Sequence, residues 1–151
     1  MTSFMKNLRL FSPVVLRLSI ALVFLWFGIN QIADPNQWVA YVPDSVVNFS
    51  GLAVTTIVFL NAIFEIILGS ALLLGFFTRW TAALLALHII DIFIIVGMNA
   101  TGVRDFGIAA ATVTIWLNGS DWLSLDRFMR QESFAAPAVA LPNNNQTKNE
   151  L

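Results

Sequence analysis

Residues 52–75 read LAVTTIVFLNAIFEIILGSALLLG, an apolar run in which Glu65 is the only charged side chain. A helix rises about 1.5 Å per residue, so about 20 apolar residues cross the ~30 Å hydrocarbon core of a bilayer. This run is long enough to do so, and others resemble it. Residues 14–32 and 80–98 are equally apolar, and residues 103–117 form a shorter fourth run that starts with Arg104 and Asp105. Pro13 precedes the first run at a position that suits a helix start. The chain has 151 residues, enough for one domain. It is 58% hydrophobic and 11% charged, against about 45–50% and about 25% in soluble domains. Because the excess is gathered into long runs, it points to a bilayer rather than a large soluble core. The expected fold class is an all-α membrane protein, a bundle of four transmembrane helices whose first partner is the lipid bilayer.

The basic residues give this bundle a direction. Lys6 and Arg9 precede the first run, Arg79 sits between the second and third, and Arg127 and Arg130 follow the fourth. Residues 33–51 hold two Asp and no Lys or Arg. The excess of positive charge on cytoplasmic loops predicts both termini and the Arg79 turn inside. That arrangement requires an even number of crossings, and four fits. The expected division is a cytoplasmic N-terminus (1–13), a transmembrane domain (14–127) and a disordered cytoplasmic tail (128–151) rich in Ala, Pro and Asn. The first run continues to residue 32 without a small-x-small cleavage site, so it reads as a span rather than a removed signal. The final Lys-Asn-Glu-Leu is similar to a luminal retention signal, but on the cytoplasmic side it is a chance likeness.

Other functions are excluded by what the chain lacks. With no cysteine it offers no thiol redox centre, iron–sulfur ligation or thiolate metal site. A net charge of -1 gives no basic surface for nucleic acid. One histidine cannot supply both axial ligands of a haem within one chain, so a haem would need Met or a second protomer for the other. No metal-binding, phosphate-loop or triad motif appears, and no metal is expected. Ala82 with Ala86 and Gly107 with Ala111 have the small-xxx-small spacing of helix contacts. Trp26, inside the first run, reads as a packing residue. Trp38 and Tyr41, in the first outer loop, read as an interfacial aromatic belt or as a lid over an outward-facing cavity.

Charges inside the apolar runs carry the functional signal. An ionisable group at mid-bilayer costs about 2.5–3.5 kcal/mol on insertion scales. The chain nevertheless places Arg17, Glu65, His88, Asp91, Arg104 and Asp105 there. At about 1.5 Å per residue, Glu65 lies about 15 Å, His88 about 12 Å and Asp91 about 16 Å from the cytoplasmic side. Asn61 is one turn from Glu65 and shares its face. Depth suggests that Arg17 pairs with Glu65 and Arg104 with Asp91. His88 then bridges, and Asp105 stays nearer the outer surface. Glu65 and His88 are the candidates for binding a polar headgroup or relaying a proton. Arg17, Asn61, Asp91, Arg104 and Asp105 form the network around them. The same pairs could also serve only to hold helices in register.

Several stretches together resemble the DoxX-like membrane proteins. They are Arg17-Leu-Ser-Ile-Ala-Leu-Val-Phe-Leu-Trp-Phe-Gly28, Glu65-Ile-Ile-Leu-Gly-Ser-Ala-Leu-Leu-Leu-Gly75 with Phe-Phe-Thr-Arg79, Arg104-Asp-Phe-Gly-Ile-Ala-Ala-Ala and Trp122-Leu-Ser-Leu-Asp126. The resemblance covers residues 13–127. It implies a four-helix bundle in a prokaryotic cell membrane, with polar helix positions at Arg17, Glu65 and Arg104. It also implies a subunit of a quinone-linked redox complex, since members of the wider family are associated with thiosulfate oxidation and with an oxidative-stress complex in bacteria. The residues name no cofactor, quinone is the candidate that the resemblance suggests, and the candidate partners are other subunits or further copies of the chain. A non-catalytic scaffold for a soluble enzyme and a carrier of small solutes or protons are the alternatives.

Overall fold

The structure, a computed structural model, describes residues 3–135. Residues 136–151, with most of the expected tail and the closing Lys-Asn-Glu-Leu, lie outside the described residues. The described elements are all helical: α1 (Ser3–Ala33), α2 (Asp44–Ser50), α3 (Val54–Leu74), α4 (Thr78–Val96), α5 (Ala100–Asn118) and α6 (Leu125–Ala135). Two short 3-10 turns, Pro35–Gln37 and Val39–Tyr41, join α1 to α2. Three helical stretches, Leu8–Ala33, Val54–Leu74 and Thr78–Val96, are long and apolar enough to cross a membrane.

α1 begins ahead of the expected boundary, and Pro13 lies inside it rather than at its start. A proline within a helix removes one N–H and frees the carbonyl four residues earlier, here that of Arg9. The Ser12 hydroxyl donates to this Arg9 oxygen at 3.3 Å. The indole N–H of Trp122 donates to the neighbouring Leu10 oxygen at 3.0 Å, and the Trp122 ring meets Phe11 edge-on. The helix therefore continues through the proline because nearby side chains take up backbone acceptors.

α1 packs along α3, α4 packs along α5, and lesser contacts join α1 to α5 and α3 to α4. Their shared core holds Ile20, Ala21 and Phe24 of α1, Leu72 of α3, Ala82, Leu85 and Ile89 of α4, and Ala109 and Ile115 of α5. Large apolar side chains also cover the outside, among them Leu22, Ile29, Ile67, Leu87 and Ile94. A soluble surface does not carry so continuous an apolar coat, whereas hydrocarbon solvates it. Trp26 belongs to this coat at 58% exposure, so it does not pack in the interior as expected.

Small residues set how closely the helices approach. A Cβ on Gly28 would lie 2.7 Å from Ile66 Cγ1 and 2.9 Å from the Ala62 oxygen, so α1 meets α3 where a side chain is missing. Ala82 and Ala86 are buried as their spacing suggested. Gly107 is exposed and has open space around it. The buried stripe of α5 runs instead through Gly102, Asp105, Ala109, Thr112 and Ile115.

The α3–α4 turn is held from elsewhere in the chain. Gly75 ends α3 at φ 70°, and the Phe76 N–H returns to the Ala71 oxygen at 2.9 Å. Phe77 also takes a left-handed conformation, φ 45°, which is unusual for a residue with a bulky side chain. The Asp126 carboxylate holds it there, accepting from the Phe77 N–H, the Thr78 N–H and the Thr78 hydroxyl at 2.7–2.8 Å. Asp126 thereby caps α4 from 48 residues further along the chain. It opens α6, which covers part of the segment expected to be a disordered tail and exposes Leu125, Phe128 and Met129.

Candidate functional site

A cavity of about 270 Å³ lies between α1, α3, α4, α5 and the α1–α2 connection. Its walls are apolar: Phe27 from α1, Ile57 and Val58 from α3, Ile89 and Ile92 from α4. Trp38 and Tyr41 of the connecting segment and Val46 of α2 also line it. Trp38 packs edge-on against Phe27 with ring centroids 5.7 Å apart, and Tyr41 lies beside Trp38. The loop aromatics thus fold back over the helix ends, which favours the lid over the simple interfacial belt.

The polar residues gather in this cavity. Glu65 is buried at 2% exposure, and three side chains converge on its carboxylate. Gln31 Nε2 donates to Oε2 at 2.8 Å and Asn61 Nδ2 to Oε1 at 3.2 Å. His88 Nε2 lies 3.2 Å from Oε1. Asn61 also donates to the Gln31 Oε1 at 2.8 Å, closing a ring of amides around the acid. The Phe64 ring lies against the His88 imidazole, centroids 5.0 Å apart. The shared depth of Glu65 and His88 therefore corresponds to a contact, and Asn61 joins them.

The other expected pairings differ. Arg104 does not reach Asp91; it bonds its neighbour Asp105, with Nε and Nη2 each 2.8 Å from Oδ1. Its guanidinium also lies 4.9 Å from the centre of the Phe27 ring. Asp105 is 1% exposed, on the buried stripe of α5. Asp91 is exposed and lines the cavity, and it makes no ion pair among the described residues. It stands three positions after His88, so both face the cavity while only His88 reaches the acid.

Arg17 lies at the other end of the helices and takes no part in the cavity. Its Nε donates to Asp121 Oδ2 at 2.6 Å and Nη2 to Oδ1 at 3.3 Å. Nη1 donates to the Leu72 and Leu73 oxygens at 2.9 and 2.5 Å. The last carbonyls of a helix have no partner within it, and Arg17 supplies one for α3. Leu72 is seven residues beyond Glu65, about 10 Å along the axis. The expected Arg17–Glu65 pair fails because these two groups stand at different levels.

Residues 12–98 match the sequence model of the DoxX family, more than half of the chain. The chain belongs to the DoxX family. No curated protein and no solved structure matches it. In this DoxX protein the matched region holds Arg17, Gln31, Asn61, Glu65, His88 and Asp91. Arg104, Asp105, Asp121 and Asp126 lie beyond it.

Gln31 and Asp121 are the polar groups that sequence reasoning missed in this DoxX protein. Gln31 stands three residues after Gly28, near the end of an apolar run, where a buried amide one turn past a close-packing glycine is a usable signal. Asp121 follows Gly119 and Ser120 just past α5. It lies at the same predicted membrane face as Arg17, so a depth comparison extended past the apolar run finds it.

Proposed function

We propose that this DoxX protein crosses a prokaryotic cell membrane four times, with both termini in the cytoplasm, and is a quinone-linked subunit of a membrane redox complex. The observation that carries this reading is the cavity: apolar walls with a small set of convergent polar groups, the usual form of a small-molecule site. At about 270 Å³ it is near the lower end of the ~300–1,000 Å³ of such sites. That size suits one ring and excludes a macrocycle. Phe27, Ile89 and Ile92 would flank a flat apolar ring, and Arg104 carries N–H groups for its oxygens. Quinone supplies two-electron chemistry when bound. The chain's own part is to orient the ring, to exclude water with Trp38 and Tyr41, and to hold or pass a proton at Glu65 and His88. Having no thiol, the chain leaves any chemistry on sulfur to substrate or to partner subunits.

Glu65→Gln tests the role of the acid. It keeps the shape of the site and removes the charge, so quinone-dependent turnover of the complex is abolished while the protein still inserts in the membrane. Undiminished turnover would contradict the mechanism. The scaffold reading draws on one observation, that three neighbours already satisfy Glu65 as they would in a purely structural lock. It predicts that the variant loses stability and no specific activity.

A further inference from the structure

Of the buried side-chain polar atoms among the described residues, one has no partner. Glu65 accepts from Gln31 and Asn61 and lies 3.2 Å from His88 Nε2, and Asp105 Oδ1 accepts from Arg104. Asp105 Oδ2 is buried and has no hydrogen-bond partner among the described residues. Asp105 is nevertheless a cavity-lining residue. An unpaired buried carboxylate oxygen is costly, and natural structures leave few of them. A carboxylate can only accept, so the group that completes this one is a donor. The Arg104 head holds Oδ1, and Oδ2 is the acceptor left without a donor on a residue that lines the cavity.

We infer that the cavity selects a ring-sized apolar ligand bearing a hydroxyl, whose O–H donates to Asp105 Oδ2, over the matching ligand that can only accept. The inference rests on the reading of the cavity as a ligand site and goes beyond it. It names the chemical form that is held and the residue that tells the forms apart. Within a quinone couple the held form is the reduced one, because its hydroxyls donate where carbonyls cannot. Glu65 then acts as a satisfied floor, and discrimination falls to Asp105, which lies outside the segment matched to the family. A charged acceptor left without its donor penalises the wrong ligand more than the right contact favours the correct one.

The test is equilibrium dialysis of the full chain in nanodiscs against 2-naphthol and against its methyl ether, with empty nanodiscs subtracting partition into lipid. The two probes share a ring and differ in one donor, and neither undergoes redox change during the measurement. The expected result is a naphthol affinity about 10–100-fold higher than that of the ether, the range of a hydrogen bond to a charged group. In Asp105→Asn, whose amide both donates and accepts, that ratio falls toward one. The wild-type ratio needs no variant, so a poorly folding Asp105→Asn does not rescue the inference. Equal binding of both probes overturns the hydroxyl selection and leaves the cavity a ligand site. Binding of neither overturns the inference and the ligand-site reading together.

Discussion

Arg17 shows how one side chain can be misjudged from sequence and still be structurally decisive. It is 1% exposed, and Asp121 and two helix-end carbonyls share its guanidinium. Removing one partner of a buried ion pair leaves the other charge uncompensated, at a cost of about 3–5 kcal/mol. Arg17→Ala is therefore expected to lower the thermal unfolding midpoint in detergent markedly. Arg17→Met combined with Asp121→Leu should recover part of the loss, because an apolar pair strands no charge. A single substitution that leaves the midpoint unchanged would show that the pair does not hold the helices. The sequence made Glu65, His88 and Asn61 legible because each sits at a depth fixed by an apolar run. It misplaced Arg17 because a long side chain has several acceptors within reach, and its partner lies past the last run.

The least obvious element is α5. Its 19 residues match α4 in length, yet Arg104, Asp105 and its threonines lower its apolar content. Three local devices make it compatible with a bilayer. Arg104 and Asp105 neutralise each other, and the Thr112 and Thr114 hydroxyls donate to the Ile108 and Ala110 oxygens at 2.7 and 2.8 Å. The buried stripe from Gly102 to Ile115 faces the other helices. If α5 crosses, reporter fusions separate the two sides. Alkaline phosphatase joined after Met98 is active outside, and green fluorescent protein joined after Arg130 fluoresces inside. Active phosphatase after Arg130 with a dark fluorescent fusion would place α5 on one side of the membrane. The element boundaries were legible where apolar runs end in glycine, as α3 does at Gly75. They were not legible at Pro13, because Ser12 and Trp122 take up acceptors around it and the helix continues.

Across the whole molecule, the two ends of the helices do different work. Arg17, Asp121 and Asp126 tie one end together, and the other end opens a cavity with an acidic floor under Trp38 and Tyr41. Periodicity and depth could find the floor, because Glu65 and His88 stand on helices. They could not find the cavity itself, which depends on how residues 34–50 fold back and on which way each helix is turned. The single most direct check is the quinone content of the protein purified from native membranes in mild detergent, for wild type and for Glu65→Gln. Close to one quinone per chain in wild type, lost in the variant, is the expected result. Background quinone in both would contradict a quinone site and leave the polar centre as a structural lock.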